Sequence, residues 1–341
     1  MLNKNQKNLS YIQTPINTDY ASISPTLERT IDLFKKRETL HAYLISGLKG
    51  IGKNTYSKVL ACAYFCTSIS KPCLKCQYCK QVLDGTLPGL HQIIQTDGKK
   101  IGVEQVRELI DLLAQHALYV TKHVVLIEPI EQLTSAAQNA LLKTLEESSN
   151  VIFLLMTHER NSILSTIASR CIAIRFPPWS DETIKQTLQL YGYENASILQ
   201  ATLYSRGNIA QALAYFRTND RIKEATDIAM QVLNINSAKE WVSLSVSLKD
   251  KKDDIDRYFD AIEHAFYYLL LVNTGQLPKD VLEQYPVFWQ EQVSKLTFTQ
   301  INKLLRYVMN AKKQRHYQVN WQSIADRLFF QIWEEKRKWQ L

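Results

Sequence analysis

No stretch of this 341-residue chain is apolar over the roughly 20 residues that a membrane-spanning helix needs; the longest aliphatic and aromatic run covers only residues 265–272. The first residues, Met1, Leu2, Asn3, Lys4 and Asn5, are polar and carry no apolar core, so a secretory leader is not expected. No internal repeat and no low-complexity tract is present, which argues against solenoids and disordered tails. Cysteine is sparse, with six residues. In the reducing, cytoplasmic setting these absences imply, the cysteines are read as metal ligands or free thiols, not disulfides.

What is there is ordinary in amount. Hydrophobic residues make up 45 % and charged residues 22 %, as in folded globular proteins and unlike disordered ones. The length suits two or three domains. A net charge of +8 favours an anionic partner, nucleic acid being the commonest, although basic proteins without one also exist.

Residues up to about Thr26 are polar with two prolines and read as a loose arm or edge. Apolar strand-like runs then follow at 42–46, 92–95, 124–128, 151–156 and 171–176. Between them, Val103, Val106, Ile110 and Leu113 recur at helical spacing, as do Ala137, Leu141 and Leu145. Alternating strands and helices predict an α/β domain, a parallel sheet with helices on both faces. Pro177 and Pro178 interrupt that pattern and place a boundary or hinge there. The remainder is helical, with apolar-faced helices predicted at 262–272, 301–309 and 324–333. The expected division is 1–178, 179–218 and 219–341.

Two segments carry recognisable chemistry. Gly47, Gly50, Gly52, Lys53, Asn54 and Thr55 follow a strand and open a helix, in the pattern G-x-x-x-x-G-K. Glycines there let backbone N–H groups wrap phosphates, and the lysine reaches the terminal ones. Asn54, however, stands where a Ser or Thr hydroxyl would hold Mg²⁺. The strand at 124–128 ends in Glu128, the expected magnesium-side acid, and Pro129 occupies the place of a water-activating Glu. Proline accepts no proton, so the general base is missing. Glu131 reads as a solvated residue beyond the strand.

Cys66, Cys73, Cys76 and Cys79 form the second segment, a zinc module at 66–79. Four thiolates complete a tetrahedral shell around Zn²⁺ and leave no open position, which makes the expected metal structural. Lys71, Lys75 and Lys80 would offset its negative charge, and Cys62, one turn earlier, reads as core.

Together these motifs resemble the AAA+ clamp-loader ATPases of bacteria, over most of the N-terminal half and more weakly beyond. The helix 139–147, Thr157 at the sensor-1 position, and Ser169-Arg170-Cys171 carry the likeness. The resemblance implies that Arg170 acts in trans, as a finger stabilising charge on a neighbour's γ-phosphate. Where the family's sensor-2 arginine stands, the string from Gly207 to Leu213 has Ala210. The losses thus fall on the chain's own nucleotide site, and the residue serving a neighbour is kept. That asymmetry resembles the delta-prime branch of the family. It implies a small helical lid, a helical collar and little or no intrinsic ATPase. It also implies a hetero-pentamer with gamma/tau and delta subunits that loads a sliding clamp onto primed DNA. ATP–Mg²⁺ binding in its own site is left open, because Lys53 survives. Two other readings stand beside this one. The first is an active gamma/tau-type motor. The second is a stand-alone zinc-dependent nucleic-acid binder using Lys312, Lys313, Arg315 and 336–338, residues that also read as a solvated helix face.

Overall fold

The computed structural model describes residues 18–95, 100–116, 122–147, 150–193, 198, 201–202, 205–217, 227–228, 230–247, 255–276, 295–315 and 320–339. The chain forms two compact units, Met1–Ala214 and Tyr215–Leu341.

The first unit is built on five parallel strands, β1 Ala42–Ser46, β2 Leu90–Ile94, β3 His123–Glu128, β4 Val151–Thr157 and β5 Ile172–Arg175, in the order β2-β3-β4-β1-β5. β3 and β4 are buried along their whole length, as strands covered on both faces must be, which is why they are continuous apolar runs without alternation. Helices α3 Lys53–Phe65, α4 Gln77–Asp84, α5 Val103–His116 and α6 Ser135–Glu147 fall between the strands. Val106, Leu109 and Leu113 of α5 join Ala137, Leu141 and Leu145 of α6 in one core with Leu44, Val125, Phe153 and Leu155 of the sheet. The helix spacing read from the sequence is therefore the spacing of the core-facing stripe.

Residues 18–26 are not a loose arm. They fold into α1 Tyr20–Ile23 and the start of α2 Pro25–Lys36. The Ser24 hydroxyl accepts from Thr26 N–H, and Pro25 occupies the first helical position, where its missing donor costs nothing. Tyr20 is buried, with its ring 5.0 Å from Tyr56 and 6.5 Å from Phe176. Aromatic burial anchors this segment against the polar character of its neighbours. Residues 1–17 of the predicted arm lie outside the described residues.

α7 Ser165–Ala168, α8 Asp181–Leu190 and α9 Ile209–Arg217 complete the elements that follow β4. The stretch after Pro178 stays tied to the phosphate-loop segment: Trp179 Nε1 donates to Ile51 O at 2.9 Å and Trp179 N to Gly207 O at 2.9 Å.

The second unit is helical: α10 Ala238–Ser247, α11 Ile255–Asn273, α12 Phe298–Arg315 and α13 Trp321–Trp339. The three predicted helices lie inside α11, α12 and α13. Phe259, Phe266, Leu304, Val308, Leu328 and Phe329 form its core. Asn320 caps α13 through its Oδ1, which accepts from Gln322 N at 2.8 Å. Among the described residues no helix is long and apolar enough to cross a membrane.

Candidate functional site

The phosphate loop leaves β1 and turns into α3 through Gly50 at φ +81° and Gly52 at φ +105°, the left-handed region that glycine enters without strain. At its start, Gly47 N–H donates to the carbonyl of Thr157, the buried last residue of β4, at 3.2 Å. Thr157 Oγ1 is used locally, accepting from Glu159 N–H at 3.0 Å. Thr55 is buried one place beyond Asn54.

Lys53 does not extend toward open space. It is 2 % exposed, and its ammonium donates to Gly47 O and Leu48 O, each at 2.8 Å, with His158 Nδ1 also at 2.8 Å. An ammonium carries three donors, and here all three are engaged. Burial lowers the Lys53 pKa to about 8, against the favourable fields of Glu128 and Glu131. Burial, followed by the neighbouring Lys53 charge, pushes His158 down to about 4, so its neutral ring accepts the Lys53 proton.

The acid at the end of β3 is also engaged. Asn54 Nδ2 donates to Glu128 Oε2 at 2.6 Å. Burial raises the Glu128 pKa, while the Asn54 hydrogen bond and Lys53 oppose that rise. Glu131 is not a solvated helix-start residue. It lies in a 3₁₀ turn, Ile130–Gln132, and its Oε1 accepts from His158 N–H at 2.8 Å, while Oε2 is buried. Its field favours the charged form of Lys53, and nothing in the local sequence around Glu131 signals that.

Residues of the segment after Pro178 bond to the same loop. Asn208 Nδ2 donates to Lys49 O at 2.8 Å, Ala210 N to Gly50 O at 3.2 Å, and Trp179 Nε1 to Ile51 O at 2.9 Å. Three consecutive loop carbonyls are thereby fixed. A Cβ added at Gly50 would stand 2.9 Å from Ala210 Cβ and 3.1 Å from Asn208 Oδ1, so the turn has no room for a side chain there. Sequence reasoning missed His158, Glu131, Asn208 and Trp179. The only signal was that Asn208 and Ala210 share one short string.

Arg170 sits apart from these groups, just after α7. Its Nη1 donates to Thr166 O at 2.9 Å, its Nε donates to Glu146 Oε1 on α6, and its Nη2 pairs with the same oxygen. The side chain remains 37 % exposed. Two N–H groups of the guanidinium stay unengaged by these contacts.

The four predicted cysteines converge. Their sulfurs all lie within 4.8 Å of one another, with Cys66 Sγ 3.6 Å from Cys73 Sγ and 3.9 Å from Cys76 Sγ. A tetrahedral shell with Zn–S bonds of about 2.3 Å has edges of about 3.8 Å, so the cluster fits a zinc ion. Backbone N–H groups of Lys75 and Cys76 pull the Cys73 thiol down to about 6, toward the thiolate a metal requires, and burial pushes Cys79 up. Cys62 is buried beside the cluster, 3.7 Å from Cys79 O, and is no part of it.

Residues 24–180 match the family model described as "DNA polymerase III, delta subunit". The chain is 26 % identical over 314 residues to DNA polymerase III subunit delta' of Bacillus subtilis, covering 88 % of this chain and 93 % of that protein. It is 34 % identical over 197 residues to subunit delta' of Haemophilus influenzae, covering 57 % and 60 %. It is also 30 % identical over 214 residues to subunit gamma of Buchnera aphidicola, covering 60 % and 57 %. The phosphate loop, the cysteine cluster and the five strands all lie within residues 24–180, and the chain is similar to the delta' and gamma subunits of DNA polymerase III.

Proposed function

We propose that the chain is a delta-prime-type subunit of a bacterial clamp loader that hydrolyses little or no ATP itself. In this reading it assembles with gamma/tau and delta subunits, helps place a sliding clamp on primed DNA, and offers Arg170 to a neighbouring gamma/tau ATP site. Segment 1–178 carries the finger and the zinc module, 179–218 is the lid, and 219–341 joins the collar. A structural Zn²⁺ is held by Cys66, Cys73, Cys76 and Cys79.

One observation carries this reading. The three donors of Lys53 are spent on Gly47 O, Leu48 O and His158, inside its own loop. With Pro129 in the base position and Ala210 in place of the sensor-2 arginine, the same site lacks proton acceptor and lid cation together. Arg170, by contrast, is exposed enough to reach another chain.

Lys53 and the likeness to a gamma subunit favour the rival, an active motor. ATP hydrolysis by the isolated chain separates the two, since a motor turns over and a delta-prime-type subunit does not. Reconstitution with gamma/tau and delta subunits and primed DNA tests the finger. Arg170→Ala is expected to assemble normally and to slow hydrolysis at the served site by about 10³-fold or more. Undiminished hydrolysis in a normally assembled complex removes Arg170 from the mechanism.

A further inference from the structure

A fifth cysteine stands beside the four that converge. Cys62 lies on α3, one helical turn before Cys66, and its side chain is 0 % exposed. Its thiol donates to Cys79 O at 3.7 Å, and the Cys79 thiol donates to Cys62 O at 4.0 Å, so the two residues hold each other across α3 and α4. Their side chains are also in hydrogen-bonding contact. Cys62 O accepts from Cys66 N–H at 2.9 Å as well. One residue of α3 therefore touches two of the four candidate ligands, Cys66 through its backbone and Cys79 through backbone and thiol together.

The four sulfurs differ in their surroundings. Cys73 and Cys76 are partly open to solvent, whereas Cys66 and Cys79 are buried. Cys73 Sγ accepts from Cys76 N–H at 3.3 Å, and Cys76 Sγ accepts from Cys79 N–H at 3.5 Å. The turn 73–79 thus supplies backbone donors to its two open sulfurs. To Cys79 it offers Leu74 N–H, presented by a residue at φ +57°. A metal-bound sulfur has given up its proton, and a buried one cannot be solvated by water, so it needs donors from the protein. The bond that Cys79 makes to Cys62 O as a thiol is lost when it ligates, because a thiolate has no hydrogen to give. Cys62 S–H, already in contact, can take that bond's place by turning from Cys79 O to Cys79 Sγ.

We propose that Cys62 is a positioning residue of the metal site: its thiol, which is not a ligand, donates a hydrogen bond to metal-bound Cys79 and holds that sulfur against α3. The inference rests on the reading of Cys66, Cys73, Cys76 and Cys79 as a zinc site, and it assigns the fifth cysteine a part in that site. Four thiolates already complete a tetrahedral shell, so a fifth has no position to fill. Outer donors orient the side chains that hold a metal, and losing one weakens metal binding by about 10–100-fold. A cysteine that served only to fill the core would need its volume alone. Cys62 instead directs its one donor at a ligand residue, and its carbonyl fixes the backbone of another.

The test uses the full chain, with Zn²⁺ affinity measured by competition against a chromophoric chelator and the Co²⁺-loaded protein followed by absorption. Cys62→Val keeps an apolar side chain and removes the donor, Cys62→Ala removes both, and Cys62→Ser keeps a donor. Circular dichroism melts of the metal-free forms establish that each variant folds. The Val and Ala variants are expected to bind one metal ion per chain at least about tenfold more weakly. Their thiolate-to-cobalt charge-transfer band is expected to move to longer wavelength, because a thiolate that loses a donor gives up its electrons more easily. Cys62→Ser is expected to stay close to wild type in affinity and band position. If Cys62→Val binds as tightly as wild type with an unshifted band, Cys62 is a packing group and the proposal is wrong. If Cys62→Ser is as weak as Cys62→Val, donation is not its role and the proposal is wrong. If all three variants lose about a quarter of the charge-transfer intensity, Cys62 is itself one of the four ligands and the proposal is wrong. If the wild-type chain binds neither Zn²⁺ nor Co²⁺, the zinc reading falls first and takes the role of Cys62 with it.

Discussion

Asn54 donates its side-chain amide to Glu128 at 2.6 Å, which joins the first turn of α3 to the end of β3. In a working phosphate-loop enzyme these two positions cooperate around a magnesium ion. Here they satisfy each other. The bond occupies a carboxylate oxygen that a cation would need, and it places an amide where a hydroxyl would bind. Beside this pair, Lys53 Nζ meets His158 Nδ1 at 2.8 Å and Glu131 Oε1 accepts from His158 N–H at 2.8 Å, an internal polar network around the loop.

Asn208, Ala210 and Trp179 tie down the loop beside that network, and the strength of the tie is measurable. Ala210→Arg, the substitution that the resemblance suggests, puts a long cation on a residue whose N–H is bonded to Gly50 O at 3.2 Å. We expect a loss of about 1–3 kcal/mol in urea unfolding and no gain of ATP hydrolysis. Asn208→Ala should cost a similar amount, since it removes the bond to Lys49 O and the one that Asn208 Oδ1 accepts from Ala210 N–H at 3.1 Å. A hydrolysing Ala210→Arg protein would show that the site is dormant and not dismantled.

His158 makes stability depend on pH in a stated direction. Its pKa is about 4 in the fold, below the ordinary 6.5, because the ring is buried beside Lys53. The unfolded chain therefore binds more protons between those values, and stability rises with pH from about 4 to 6.5. Acidification across that window is expected to cost up to about 3 kcal/mol from this group. His158→Gln removes this slope, so the difference between wild-type and variant unfolding free energies should change with pH across that interval. Parallel pH profiles for the two proteins would count against the assignment.

Glu146 is expected to position the finger. Its carboxylate takes Nε and Nη2 of Arg170, while Nη1 donates to Thr166 O at 2.9 Å. Glu146→Ala frees the guanidinium to rotate, so single-turnover hydrolysis at the served site should slow by about tenfold while complex assembly is retained. Arg170→Lys should not rescue, because a point charge cannot replace the planar fork. An unchanged rate for Glu146→Ala would make the pair a surface contact of small consequence.

Metal removal tests the cysteine cluster. One zinc per chain by elemental analysis is the expected stoichiometry. Cys73→Ser or prolonged chelation is expected to lower Tm by roughly 10 °C, because metal bonds would join Cys66 at the end of α3 to the turn at 73–79. A fully stable, zinc-free wild-type protein would leave the thiols as packing groups.

The local elements were legible in the sequence because they are local. G-x-x-x-x-G-K between an apolar run and a helix, three cysteines at x₂ spacing, and helical stripes such as Val106 and Leu113 all concern residues a few positions apart. So did the substitutions that matter most, Asn54, Pro129 and Ala210, since each is a missing functional group at a known place in a motif. What the loop does with its remaining lysine was decided only by the fold. Lys53 meets His158 across 105 positions of sequence, and Asn208 meets Lys49 across 159. No periodicity reports such pairs, because strand order, not spacing, brings β1 beside β4. Polar Tyr20-to-Thr26 read as an arm because two buried contacts of a single tyrosine are invisible without Tyr56 and Phe176 in place. The basic cluster at 312–315 looked uniform in the sequence, and the acids of α11 divided it into paired charges and one unpaired lysine. Composition set the kinds of groups available, and tertiary structure decided which of them are spent inside the chain and which face outward.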